Sequence, residues 1–172
     1  MSIKDVWSKP LTQTGVATAL CAVSGSLATE PDSVWFRALD KPRWQPPGWL
    51  FPIVWTGLYT SVALTAAKVI EAHEAEGDEQ SATRYRAALL VNLALNQGWS
   101  WVFFKAHRLR PATAVAALLA ASSVDLARRA RATGTGKVLA LAPYAAWCAF
   151  ATILTREISR RNPSSSEEAV SG

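Results

Sequence analysis

Residues 45–67 read QPPGWLFPIVWTGLYTSVALTAA, 23 residues without a formal charge. A helix needs about 20 mostly apolar residues to cross a hydrocarbon core roughly 30 Å thick, and about 17 to 25 are tolerated. Outward from this stretch the pattern repeats. Leu11 to Thr29 gives 19 uncharged residues, Ala87 to Phe104 gives 18 and Val138 to Thr155 gives 18. Pro111 to Val124 adds 14, and reaches spanning length if Asp125 sits near a membrane surface. A helix of a soluble protein would carry a charged face throughout its length. Period-2 alternation, the mark of a strand, does not persist beyond a few residues. The reading is an all-α membrane protein, a bundle of five transmembrane helices. Its spans lie at about residues 11–29, 48–69, 86–104, 111–127 and 138–155 of one domain, 1–160, and the tail 161–172 has a disordered composition.

The length of 172 residues fits one domain. The mean hydropathy of +0.11 is modest only because it averages charge-free runs with charged loops. A net charge of +5 suggests anionic headgroups as partners, since basic residues flank the apolar runs and no nucleic-acid motif accompanies them. Cys21 and Cys148 fall inside apolar runs and read as small buried hydrophobes. Lys4, Lys9, the following run and Ser26-Leu27-Ala28 imitate a secretory signal, but the run is longer and richer in Thr and Ser than a usual signal core. Between spans lie the long loop Glu30–Pro47, an acidic solvated loop Glu71–Gln80, and basic turns Lys105–Arg110 and Arg128–Lys137, the last with Gly134 and Gly136 as breakers. Lys and Arg divide nine to nine between the two sides, so the positive-inside rule gives no orientation.

Eight tryptophans stand at 7, 35, 44, 49, 55, 99, 101 and 147. An interfacial aromatic belt accounts for Trp7, Trp35, Trp44 and Trp49. Trp55 and Trp147 lie well inside their spans and read as cavity-lining. At about 100° per residue, Phe51, Trp55, Tyr59 and Val62 share one face of span two. Asn92, Asn96, Trp99, Ser100 and Phe103 share a face of span three, and Tyr144, Trp147, Ala151 and Thr155 a face of span five. Polar side chains are costly in lipid, so Asn92 and Asn96 face the bundle interior, either toward a ligand or in interhelical hydrogen bonds. Three ring-bearing faces with a few amides and hydroxyls suggest a pocket for a large flat hydrophobic ligand. On the opposite face of span three, Ala94 and Gly98 form a small-xxx-small pair that allows close helix approach, and a homodimer through it is one reading.

Conventional catalytic signals fail. Gly134-Thr135-Gly136-Lys137 resembles a phosphate loop, but Arg131 replaces its first glycine and Val138 follows the lysine. His73 and His107 have no partner at ligand spacing, so no metal is expected. Asp125 reads as paired with Arg128 or Arg129 one turn later.

The run Lys41-Pro42-Arg43-Trp44-Gln45-Pro46-Pro47-Gly48-Trp49, continuing to Phe51, Trp55 and Leu58-Tyr59, resembles the signature of the TspO/translocator protein family, also called tryptophan-rich sensory protein or peripheral benzodiazepine receptor. Leu93 to Asn96 with Trp99-Ser100 and Phe103-Phe104, then Pro143-Tyr144 with Trp147 and Phe150 to Thr152, are similar to two further blocks in the same order. The resemblance covers about residues 11–160. It implies a five-helix bundle, often dimeric, that binds porphyrins, haem and isoquinoline-type compounds beneath its long first loop. Residue by residue it implies a pocket of Phe36, Pro46, Trp55, Asn96, Trp99, Ser100, Trp147 and Ala151. Animal members carry Leu/Val-x-Tyr-x-Lys/Arg late in span five. Here no basic residue follows Tyr144 within five positions, and Thr155-Arg156 stands where the family usually has Asn and often an aromatic, which argues against animal-type sterol binding.

These readings make the chain a multi-pass protein of a bacterial cell envelope, binding a tetrapyrrole such as protoporphyrin IX or haem as sensor, transporter or scavenger, with no required cofactor. Two alternatives remain open. One is an enzyme that degrades porphyrin in light, with Trp55 and Trp147 as the participating residues. The other is a structural membrane partner whose Trp-rich interior holds nothing.

Overall fold

The structure is a computed structural model that describes residues 9–163. Trp7 and all but the first residues of the expected disordered tail lie outside the described residues. Among the described residues the chain is helical with no strand. We label the helices α1 (Pro10–Ala28), α2 (Val34–Ala38), α3 (Leu50–Ala75), α4 (Glu79–Ser100), α5 (Leu109–Ala130) and α6 (Thr135–Arg161). A π-turn, Trp101–Lys105, extends α4, and a 3-10 turn, Arg131–Thr133, follows α5. Three helical stretches are long and apolar enough to cross a membrane: α3, Leu109–Thr133 and α6. In α1 the hydropathy is diluted by Thr, Ser and Gln, and in α4 by Arg84, Arg86, two asparagines and Gln97.

The helix boundaries follow local chemistry. Pro10 opens α1, where a missing N–H costs nothing. The backbone N–H and hydroxyl of Thr29 both donate to Gly25 O and close it. The acidic segment after span two is largely exposed, as expected, but it is mostly helix and not a loop, which corrects the sequence reading. Its Ala- and Glu-rich residues favour helix, so α3 continues to Ala75, His73 is buried, and α4 resumes at Glu79. Only Glu76–Asp78 turns: Gly77 takes φ +75°, and the Asp78 carboxylate accepts from Ser81 N at 2.9 Å. That contact holds the Asp78 carboxyl below its usual range. Of the two expected breakers before α6 only Gly134 acts, at φ +132°, since Gly136 is already helical. Pro143 removes a backbone donor inside α6, and close by Ser61 of α3 donates to Ala140 O at 2.9 Å.

The five long helices close into a ring in the order α1, α3, α6, α5, α4, and α3 also meets α4 across it. The helix surfaces are inverted relative to a soluble protein. On α1, Thr14, Thr18, Cys21 and Gly25 point inward, and Leu20 and Leu27 are 66% and 70% exposed. Leu90, Val91, Leu118, Val124, Leu139 and Ile153 are likewise exposed. In lipid, small inward residues allow close backbone approach and large apolar ones face the acyl chains. Thr14 illustrates the gain, its hydroxyl reaching Ala63 O of α3 at 2.9 Å.

Candidate functional site

The end of the bundle that carries the first loop is lined with rings. The π-turn shifts the register after Ser100 and buries both Phe103 and Phe104, their rings 4.8 Å apart. Helix α2, capped where Ser33 Oγ accepts from Phe36 N, lies over them. Phe36 meets Phe104 at 5.4 Å and Phe103 at 6.2 Å, and Trp35 meets Phe103 at 5.6 Å. Outside this layer Trp35 stacks on His107 at 4.1 Å, and His107 holds φ +55° at the corner before α5. Lys41 lies over the Phe36 ring and donates to Phe36 O at 2.6 Å and Leu39 O at 3.0 Å. Desolvation lowers the Lys41 ammonium below its ordinary pKa. The loop is tied at both ends. Lys105 pairs with Glu30, and Asp40 N donates to Asn162 Oδ1 while Asn162 Nδ2 returns to Asp40 O, each at 3.0 Å.

Beneath α2 the expected pocket residues fall into two layers. In the outer layer Trp99 stacks on Phe103 at 5.6 Å, and its indole N–H donates to Thr155 Oγ1 at 3.2 Å. Trp147 meets Phe51 at 5.8 Å and Phe150 at 5.2 Å, and Trp44 from the loop meets Phe150 edge-on at 5.9 Å. In the inner layer Trp55 rests on Tyr59 at 5.2 Å and Tyr144 at 6.4 Å. Below it a polar chain crosses the core. Tyr59 OH donates to Asn96 Oδ1 at 2.8 Å, Asn96 Nδ2 to Tyr144 OH at 3.3 Å, and Tyr144 OH to Asn92 Oδ1 at 2.8 Å. Asn92 Nδ2 continues to Ser122 and Ser123 at 3.2 and 3.1 Å. Both asparagines therefore make the interhelical bonds that were one of their two readings, and Asn96 reaches the site through the tyrosines under Trp55.

The remaining expected residues are placed less centrally. Ser100 is buried toward α1, where a Cβ on Gly25 would lie 3.8 Å from its hydroxyl. Ala151 is half-buried and its carbonyl accepts from Thr155. Pro46 is half-buried in the irregular segment before α3. Two buried polar atoms in this region lack a partner among the described residues: Trp147 Nε1 and Gln45 Oε1. Orphaned buried polar groups are uncommon in folded proteins. The sequence reading passed over Phe51, Phe150, Trp44, Tyr59 and Tyr144 as site residues, although Phe51, Tyr59 and Tyr144 were already on the ring-bearing faces.

A bundle that turns leucines outward and hydroxyls inward, with rings gathered under a tethered loop, is built as an integral membrane protein. The chain belongs to the TspO/MBR family, whose profile matches residues 14–161. It is similar to "Protein CrtK" of Rhodobacter capsulatus, 31% identical across 89% of this chain and 94% of that protein. It is also similar to the "Tryptophan-rich sensory protein" of Cereibacter sphaeroides, 34% identical across 82% and 84%, and to the human "Translocator protein", 32% identical across 74% and 75%.

Proposed function

We propose that the chain crosses the membrane five times and binds a tetrapyrrole, protoporphyrin IX or haem, among the rings beneath α2, in porphyrin sensing, transport or scavenging. One observation carries this reading: the Trp147 indole N–H is buried and has no partner among the described residues, in a layer built largely of aromatic faces. Flat rings suit a macrocycle, and a lone donor suits one of its carboxylates. Two grooves, of about 560 and 320 Å³, lie between α4 and α5 and between α1 and α4. The rings beneath α2 pack against one another, so in this reading the ligand enters by moving rings aside and lifting α2. The test is titration of detergent-solubilised protein with protoporphyrin IX, read by tryptophan quenching. Saturable quenching at micromolar concentration is expected, and its absence in folded protein rejects the reading.

A second reading, light-driven breakdown of the bound porphyrin, is favoured by one feature. Trp55 on α3 and Trp147 on α6 are both half-buried and pack against the same core cluster, one in each ring layer.

A further inference from the structure

At the end of the bundle opposite the first loop, the groove of about 560 Å³ lies between α4 and α5. Its rim is charged and its depth is not. Arg84 on α4 and Arg129 on α5 stand at the rim, with Asp125 between them. Ala87, Ala88 and Val91 form the α4 wall, and Val91 is 57% exposed. Seven residues separate Arg84 from Val91, which at 1.5 Å per residue is about 10 Å of depth. On the opposing wall Ser122 lies the same distance below Arg129, and its oxygen already accepts from Asn92, so its hydroxyl proton can be donated into the groove.

The charges do not cancel. Asp125 pairs with both Arg128, at 2.9 Å, and Arg129, so one carboxylate faces two guanidiniums before Arg84 is added. Asp78 feels the charge of Arg84, but its carboxylate is engaged by Ser81 in capping α4. Positive rim, hydroxyl at mid-depth and apolar floor match, in order, a phosphodiester, glycerol esters and the first methylenes of an acyl chain. We propose that this groove binds an anionic glycerophospholipid in the leaflet opposite the first loop, with its phosphate between Arg84 and Arg129 and an acyl chain along Val91. The site takes from the proposed topology only that α4 and α5 face lipid. It is separate from the ring-lined site.

The test uses the full chain in mild detergent, exposed to equal amounts of phosphatidylglycerol and phosphatidylcholine with identical acyl chains and read by native mass spectrometry. Phosphatidylglycerol adducts should dominate. Arg84→Gln with Arg129→Gln should weaken them about twenty-fivefold, at about fivefold for each lost cation–phosphate contact. Ala87→Trp, which fills the groove without changing charge, should displace the lipid as well. Arg131→Gln with Lys137→Gln removes the same charge from the nearby α5–α6 turn and should leave the preference intact. Equal adducts of the two lipids on the wild type overturn the site. So does equal loss in both double variants, which would indicate a diffuse surface potential. Protoporphyrin quenching measured on the same samples keeps failure here distinct from failure of the ring-lined site.

Discussion

Removing one oxygen, in Tyr144→Phe, separates scaffold from ligand site. Tyr144 is 1% exposed, and its hydroxyl donates to Asn92 Oδ1 and accepts from Asn96 Nδ2. The substitution deletes both bonds and leaves the two amide groups short of a partner in the buried core. Interhelical bonds in lipid average about 0.6 kcal/mol and reach about 1.7. An orphaned buried polar group in water-soluble proteins costs about 1–3 kcal/mol. Two bonds between these limits give about 2 kcal/mol, a shift of roughly thirtyfold in the unfolding equilibrium at about 1.4 kcal/mol per tenfold. The phenyl ring stays beneath Trp55, so porphyrin affinity should change by less than about threefold, or ~0.6 kcal/mol. The assay is denaturation by sodium dodecyl sulfate from mild detergent, followed by far-UV circular dichroism, with porphyrin titration on the same preparations. A stability change under about 0.5 kcal/mol would show that the Tyr144 bonds contribute nothing beyond alternatives the chain finds unaided. A large affinity loss at unchanged stability would make Tyr144 a ligand contact and refute the layering drawn here.

Four further outcomes are expected. Trp147→Phe keeps a flat wall and loses only the unpartnered N–H, so protoporphyrin binding should weaken by no more than about tenfold, or ~1.4 kcal/mol, in a quenching titration. If the second reading holds, Trp55→Phe and Trp147→Phe slow porphyrin bleaching under light in air far more than they weaken binding. Wild type that bleaches no faster than free porphyrin in detergent leaves nothing to explain. Ala94 is exposed, whereas a Cβ on Gly98 would lie 3.7 Å from Val115 of α5, so the pair separates. Ala94→Leu should shift a dimer toward monomer in light scattering without loss of stability, and Gly98→Leu should destabilise the protomer by about 1–3 kcal/mol through overpacking. Asn162→Ala removes both bonds to Asp40 and should speed porphyrin association in stopped-flow quenching.

The long helices were legible because lipid removes charge from a sequence, and the charge-free runs centre on α1, α3, α4, α5 and α6. Their ends were not, because outside the hydrocarbon a charged helix is as stable as an apolar one. Glu71 and Glu74 continue α3 where charge alone suggested a loop. Helical phase placed Trp55, Asn96, Trp99 and Tyr144 on inward faces, yet phase cannot name a partner. It left open whether Asn96 meets a ligand or a tyrosine, and it gave no sign that the Trp99 indole reaches Thr155. The π-turn escaped notice for the same reason: it breaks the 100° rule on which the phase argument rests. The ties that fasten α2, from Lys105 to Glu30 and from Asn162 to Asp40, join residues 75 and 122 positions apart, and no local pattern encodes them.

Those ties bear on how a ligand enters. Helix α2 has only five residues, too few to be stable alone, so its position depends on what it touches. The rings of Trp35 and Phe36 hold it from below, and ion pairs and amide bonds hold its flanks at the water-exposed end. Exposed ion pairs are worth about 0–1 kcal/mol each, so the polar fastenings set where α2 sits more than how firmly it stays. The firmer hold is the ring packing, and a macrocycle with its own flat faces can replace that packing in kind. In the proposed binding, lifting α2 would expose rings that a tetrapyrrole then covers, and the free energy of opening would be recovered only by a ligand large and flat enough to cover them. An affinity measured from outside is lowered by the fraction of molecules already open, so weakening a flank tie raises that fraction and quickens entry without altering the bound state. Under this proposal selectivity for large planar ligands is expected, because a small molecule would not cover enough ring surface to hold the site open.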